Sequence, residues 1–391
     1  MSERAAPAWR DTQPWRARFP VDLHVGRRAR AALSGGPPGP WLLVSSARGR
    51  EQAAGDPVLG PLLADRVAVI VDDVRANPDA AWLEATARLL RADGVAPAAV
   101  LGVGGGSAVD AAKVLAALLA APDSTPLERL LHAPERLDGL AVAPVLAVAT
   151  TAGSGSEVTP FATVWDHARA VKASLAHETL RPALAVVDAD LMDGLPREAT
   201  VATGLDAVNQ AAESTWNRHA TPVTLELAGR ALELGVPALE RLLADLGDRA
   251  AREAMAEASA LAGLAISHTR TALCHAMSYP LTARHGVAHG VACAFTMAAV
   301  AAHQATADDG RLARAAARLG EHGADGLARR LAALQARASV AQRVRAAIGS
   351  LDALLALTPE MRNTGRADNA LRSADDAALE GVLRRAWAAE G

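Results

Sequence analysis

Short apolar runs alternate with helical periodicity through the first half of the chain, and only helical periodicity remains in the second. Trp41–Ser45 (WLLVS), Arg66–Val71 (RVAVIV), Ala99–Val103 (AVLGV), Pro144–Ala149 (PVLAVA) and Leu184–Asp188 (LAVVD) are continuous apolar runs of strand length. Between them, Ala80–Asp93 and Val109–Leu119 repeat with helical period. Strand, helix, strand at this spacing predicts a parallel sheet with crossover helices. From about Pro196 onward apolar residues recur at i, i+3 and i+4 through Thr224–Leu246, Ala251–Ser267 and Arg311–Ala336, which predicts a helical bundle. The change falls in the segment DADLMDGLP, so two domains are expected, over residues 1–192 and 193–391.

Composition narrows the function. A chain of 391 residues can bury two cores without disulfides. The net charge of −3 offers no basic field, so neither nucleic acid nor an anionic membrane is expected as a partner. The two cysteines, Cys274 and Cys293, are too few for a disulfide scaffold or a cysteine-based zinc cluster and suit a reducing compartment. No apolar run reaches the roughly 18–20 residues of a membrane span. The opening MSERAAPAWRDTQPW carries charges where a signal peptide is apolar, so a cytoplasmic location is expected. All but two of the 40 Lys and Arg residues are arginine, and there is one tyrosine, Tyr279. Against that bias, Lys113 and Lys172 stand out either as positions where an ammonium is needed rather than a planar fork or as chance survivals, and position must decide between the two.

Four segments carry candidate chemistry. In Gly102–Lys113 (GVGGGSAVDAAK), glycines follow a predicted strand and open a helix. Backbone N–H groups at Gly104, Gly105, Gly106 and Ser107 can face a pyrophosphate, although an ordinary strand-to-helix turn has the same look. Asp110, one turn in, would repel phosphate, so it either orders the loop or meets a cofactor amide or hydroxyl. Thr150–Thr159 (TTAGSGSEVT) also follows a strand. Its Thr150, Thr151 and Ser154 can line a ribose or a nicotinamide, or merely cap a helix. In Gly204–Trp216 (GLDAVNQAAESTW), Asp206 and Gln210 share a helical face beside Asn209. In Cys274–Gly290 (CHAMSYPLTARHGVAHG), His275 and Tyr279 lie four apart on a helix that Pro280 is expected to end, with His289 in a Gly-flanked turn. Asp206, Gln210, His275 and His289 are an N/O set suited to a divalent metal. The same residues fit a buried hydrogen-bond network.

In this order, GGGSAVDAAK and TTAGSGSEVT followed by the Asp and His segments resemble the iron-containing (group III) alcohol dehydrogenase family over nearly the whole chain. The resemblance implies an α/β, Rossmann-like nucleotide-binding domain followed by an all-α domain that binds metal and substrate. NAD(P) and a divalent metal, Fe(II) or Zn, are the implied cofactors. The family's Asp-His-His-His ligands fall on Asp206, Gln210, His275 and His289, so Gln210 replaces a histidine; a further family histidine is here Tyr279. The segments GLDAVNQAAESTWNRHATP and TPEMRNTGRADN are similar to a phosphonate-aldehyde branch, the phosphonoacetaldehyde reductases, which carry the same two replacements.

That branch implies reduction of phosphonoacetaldehyde to 2-hydroxyethylphosphonate. Phosphonopyruvate, maleylacetate or general alcohol substrates are the alternatives, with a dehydroquinate synthase-like lyase or an inactive paralogue behind them. Ser46 and Arg48 stand where NAD-using relatives place an Asp, so NADPH is expected over NADH. The resemblance places Lys172 near the cofactor ribose or phosphate. Tyr279 or His285 is expected in the proton relay. A phosphonate needs a cationic fork, for which Arg270 is the first candidate, then Arg284 and Arg366, with Asn209 alongside. Relatives of this kind are often dimers or larger, so a homodimer is expected, although no interface is legible.

Overall fold

The computed structural model describes residues 14–169, 171–362 and 366–389. The chain divides into two compact units, one of residues 19–195 and one that joins the described residues before 19 to those from 196 onward.

The first unit is built on the parallel strands β1 (Asp22–Val25), β2 (Trp41–Ser45), β3 (Val67–Val71), β4 (Ala99–Gly104), β5 (Val145–Ala149) and β8 (Leu184–Val187), in the order β1-β8-β5-β4-β2-β3. The strands β2, β4, β5 and β8 are buried along their whole length, as parallel strands covered on both faces must be. Alternate residues feed two separate cores. Leu42, Val44, Val100 and Val145 pack with α3 (Ala80–Ala92) and α4 (Gly106–Ala120). Trp41, Leu43, Leu101, Val103, Leu146 and Val148 pack on the other face with α1 (Ala47–Gly55) and α2 (Leu59–Arg66). Chain order reverses between β2 and β4, and ligands of open α/β sheets bind at the strand carboxyl ends beside such a switch.

Sequence periodicity missed two features here. The edge strand β1 (DLHV) is half polar and exists only through its pairing with β8. The antiparallel hairpin of β6 (Phe161–Asp166) and β7 (Val171–Ala176) buries only Ala162, Val164, Trp165 and Leu175, too few for a continuous apolar run.

The second unit is helical, with α6 (Arg197–Thr215), α7 (Pro222–Ala244), α8 (Arg249–Thr269), α9 (Leu273–His285) and α10 (His289–Ala305) as its principal elements. Thr221 and Thr224 form a reciprocal capping box before Pro222, and Asp248 caps α8. Three expectations need correction. The stretch Arg311–Ala336 is two helices, α11 (Arg311–Arg318) and α12 (Gly323–Arg337), because Gly320 and Gly323 take positive φ between them. Pro280 lies inside α9 rather than ending it. The missing bond costs about 3 kcal/mol, and Met277 and Leu281 on either side are fully buried. His289 opens α10 rather than sitting in a turn. No helix among the described residues is long and apolar enough to cross a membrane.

Candidate active site

In the first unit the glycine loop and the hydroxyl loop leave adjacent strands and interlock. Thr150 N–H donates to the Gly104 carbonyl at 2.9 Å. Gly104 has φ 149°, and Gly105 is the N-cap of α4. A Cβ on Gly106 would lie 2.5 Å from Ser154 Oγ, and one on Gly105 would lie 3.2 Å from Thr151 Oγ1. Only glycine permits this approach, and it leaves the N-terminus of a 15-residue helix at the sheet's carboxyl edge. Such an end favours an anion, so the residues fit a dinucleotide pyrophosphate.

The polar residues around this cradle take distinct roles. Ser107 Oγ accepts from Asn77 N–H at 3.2 Å, and Ser154 Oγ accepts from Ser156 N–H at 3.2 Å. Asp110 accepts from Ser156 Oγ and from Thr163 N–H, which ties the hydroxyl loop and β6 to α4. Burial raises its pKa, against the opposing charge of Lys113. Lys113, fully buried, donates to the carbonyls of Ser156 at 2.5 Å and of Thr159 and Phe161 at 2.9 Å. Burial lowers its pKa to about 8. Beyond β2, Ser46 caps α1 by accepting from Gly49 N–H, and Arg48 is exposed on its first turn. Arg50 is paired with Asp72 at 2.7 Å. Lys172 lies on β7 with its ammonium 5.6 Å from the Trp165 ring centroid.

In the second unit three helices bring a donor cluster together. Asp206 comes from α6, His275 from α9, and His289 and Cys293 from successive turns of α10. One ligand atom from each lies within 4.8 Å of the other three. The approach of α6 to α10 depends on Gly290, where a Cβ would overlap the Ala202 carbonyl and lie 3.0 Å from Asp206 Cβ. His275 Nε2 faces Asp206 Oδ1 at 3.4 Å, while its Nδ1 meets Glu213 Oε2 at 2.7 Å. Glu213 also accepts from the backbone N–H groups of Ala272, Cys274 and His275, which fixes the start of α9 and the imidazole together. A carboxylate behind an imidazole is the arrangement that orients metal-binding histidines.

Burial pulls the His275 pKa down, yet the neighbouring Cys293 and Glu213 and the bond to Asp206 hold it well above the ordinary value. A buried pocket with that excess of negative donors fits a divalent cation. Gln210 is buried one turn beyond Asp206 on the same helix.

Beside the cluster, the Tyr279 ring stacks on His289 with centroids 6.3 Å apart. Arg366 lies over Tyr279, with Cζ 5.7 Å from the ring centroid, and its Nη1 donates to Thr271 Oγ1 at 2.8 Å. Of the three arginines expected to meet an anion, Arg366 is the one joined to the cluster. Arg270 is exposed at the end of α8 with φ 60°. Arg284 is exposed and paired with Glu360 at 2.8 Å, so its charge is already matched. Asn209, expected at the substrate, is fully buried and donates to the Cys293 carbonyl at 3.3 Å, which makes it part of the α6–α10 packing. His285 ends α9 outside the four-donor cluster.

Sequence reasoning missed Glu213 and Cys293. Both were signalled by spacing, Glu213 at i+7 from Asp206 and Cys293 at i+4 from His289, each on the face its helix already presents.

Residues 39–189 match the family model described as iron-containing alcohol dehydrogenase, and residues 200–380 match that for the C-terminal region of the Fe-containing alcohol dehydrogenase family. The chain is 40% identical to phosphonoacetaldehyde reductase of Streptomyces viridochromogenes over 59% of its own length and 58% of that protein's. It is 36% identical to NAD-dependent methanol dehydrogenase of Bacillus methanolicus, over 57% and 58%. The chain thus spans less than two thirds of the length of the curated relatives it matches. Among solved structures, sulfoacetaldehyde reductase from Bifidobacterium kashiwanohense in complex with NAD+ superposes with TM-score 0.85 at 25% identity, covering 97% of this chain and 100% of that one. A 1,3-propanediol oxidoreductase does so with TM-score 0.85 at 26%, covering 96% and 100%.

Proposed function

The chain belongs to the iron-containing alcohol dehydrogenase family, and from that premise we propose that it reduces a small anionic aldehyde, phosphonoacetaldehyde, to 2-hydroxyethylphosphonate with NADPH. The observation that carries this reading is the adjacency of a buried cation-binding cluster (Asp206, His275, His289) to a guanidinium held over Tyr279. One feature suits a carbonyl and the other an anion, and a two-carbon phosphonate aldehyde has both.

When bound, a reduced nicotinamide supplies hydride and a divalent metal held by Asp206, His275 and His289, with Gln210 beside them, polarises the carbonyl as a Lewis acid. The remaining work falls to the chain's own side chains. Glu213 fixes the tautomer and angle of His275, so that its Nε2 faces Asp206. Arg366, anchored by Thr271, presents its charge for charge-assisted bonds to phosphonate oxygens. Tyr279, between Arg366 and His289, has a hydroxyl suited to passing a proton to the product oxygen, with His285 as the alternative donor. The interlocked glycine and hydroxyl loops are the residues that would hold a cofactor pyrophosphate at the N-terminus of α4.

Preference for NADPH rests on Ser46 and exposed Arg48 after β2, a hydroxyl and a cation suited to a 2′-phosphate. The similarity to both a phosphonoacetaldehyde reductase and a sulfoacetaldehyde reductase supports an anionic two-carbon aldehyde.

The test is NADPH oxidation with phosphonoacetaldehyde, sulfoacetaldehyde, phosphonopyruvate, maleylacetate and acetaldehyde, with Fe(II) or Zn supplied and NADH in parallel. The highest kcat/KM is expected for phosphonoacetaldehyde with NADPH. Equal rates on acetaldehyde would reduce the reading to a general alcohol dehydrogenase, and turnover without net NADPH consumption would point to a lyase.

A further inference from the structure

Cys293 is fully buried, and its thiol belongs to the donor cluster. Its Sγ lies 3.7 Å from both ring nitrogens of His289. The two residues are one turn apart on α10, the spacing at which two side chains of one helix can hold one ion. The backbone at Cys293 is held from behind, since Asn209 Nδ2 donates to its carbonyl at 3.3 Å.

Two of the donor separations are those of a tetrahedral ion. With metal–nitrogen or metal–oxygen bonds of about 2.0–2.1 Å and a metal–sulfur bond of about 2.3 Å, neighbouring donors stand about 3.3 Å (N and O) to 3.6 Å (N and S) apart. The cluster has 3.4 Å between His275 Nε2 and Asp206 Oδ1, and 3.7 Å between His289 and Cys293 Sγ. Gln210 offers a neutral amide oxygen, a far weaker donor than a thiolate.

We propose that the Cys293 thiolate is a ligand of the divalent metal and completes an O/N/N/S centre with Asp206, His275 and His289. Binding exchanges the S–H bond for an S–metal bond, and the proton is released to solvent. The thiolate and the Asp206 carboxylate together balance the charge of a divalent ion, and the sulfur donor makes zinc a better match than an all-N/O set would. The inference rests on the metal-binding part of the proposed function, so the experiment separates the two.

The full-length protein is stripped of metal and loaded with Co(II), and its absorption spectrum is recorded. Visible ligand-field bands of a four-coordinate ion, together with a near-ultraviolet sulfur-to-cobalt charge-transfer band, are expected. The charge-transfer band should persist in Cys274→Ala, which leaves Cys293 as the sole thiol, and vanish in Cys293→Ser with the visible bands retained. X-ray absorption of the zinc-loaded protein should show one sulfur at about 2.3 Å. Should Cys293→Ser fail to fold, Cys274→Ala and the zinc measurement decide alone. Cobalt bound with ligand-field bands but no charge-transfer band in Cys274→Ala overturns the thiolate ligand and leaves the metal site standing. No cobalt binding overturns both.

Discussion

Replacing Arg366 by Leu separates recognition of the anion from chemistry at the carbonyl. Arg366 donates to Thr271 and lies over the Tyr279 ring. A hydrogen bond to a charged group contributes about 1.5–3 kcal/mol, so losing one guanidinium–phosphonate contact should lower kcat/KM for phosphonoacetaldehyde about 10- to 150-fold. The lost cation–π contact, about 0.5–2 kcal/mol, loosens Tyr279 for every substrate and so cancels in the ratio of two substrates. The readout is therefore the fold-loss for phosphonoacetaldehyde divided by the fold-loss for acetaldehyde or propanal, measured by NADPH oxidation. A ratio of at least ten is expected, mostly in KM, because the anion is bound in both ground and transition states. Arg366→Lys keeps the charge without the planar fork and should fall between. Arg284→Leu, whose charge Glu360 already matches, should leave the ratio unchanged. Equal losses on charged and neutral aldehydes in Arg366→Leu would refute anion recognition by this residue.

Gly290→Ala drives a Cβ into the Ala202 carbonyl, so α6 and α10 must part. A cost of about 1–3 kcal/mol is expected, seen as a lower Tm together with reduced metal content, and an unchanged metal stoichiometry would contradict it. Glu213→Gln turns an amide N–H towards donors on one side of a group whose two oxygens each accept two bonds. Metal affinity should fall about 10- to 100-fold by chelator competition, and a smaller loss than for Gln210→Ala would count against the role given to Glu213. Hydrogen bonding to Arg27 and Arg30 holds the Asp190 pKa down from 3.8 to about 2. The contribution, about 2 kcal/mol, is present above pH ~4 and lost as pH falls through ~2, because only the unfolded carboxylate takes up a proton between these values. Denaturation of the wild type and Asp190→Asn should therefore differ by a gap that closes over that window; a gap independent of pH would refute the assignment.

The strands of the central sheet were legible because a parallel sheet covered on both faces demands unbroken apolar runs. The edge strand β1 was not, since it depends on pairing with the distant β8, and the β6–β7 hairpin was not, since it buries too few residues to leave an unbroken apolar run. The glycine and hydroxyl loops were legible as chemistry because backbone approach admits few residue types. The metal cluster was half legible. Asp206, His275 and His289 could be found from residue type, whereas Glu213 and Cys293 carry only the signal of helical spacing, which speaks once the fold shows which faces of α6 and α10 meet. Arginine fared worst. In a chain where nearly every cation is arginine, residue type carries little information, and only packing distinguishes Arg366 from exposed Arg270 and paired Arg284.

The two lysines sharpen that contrast. Lys113 sits where the carbonyls of Ser156, Thr159 and Phe161 converge on one point, all within 2.9 Å. A compact ammonium with three rotatable donors meets that geometry, whereas a planar guanidinium would need its acceptors spread along a fork and more volume than a fully buried site provides. The residue that survived an arginine-rich composition thus did so by ordering the hydroxyl loop from beneath, without standing at the surface the cofactor would meet. Lys113→Arg should consequently unsettle the loop that carries Thr150, Thr151 and Ser154 and weaken dinucleotide binding through them, seen as a raised cofactor Kd. Lys113→Met should do the same while leaving three buried carbonyls without their donor. Scarcity in a composition marks positions where geometry rejects the common substitute, and the fold decides whether that geometry serves a ligand or the scaffold that presents one.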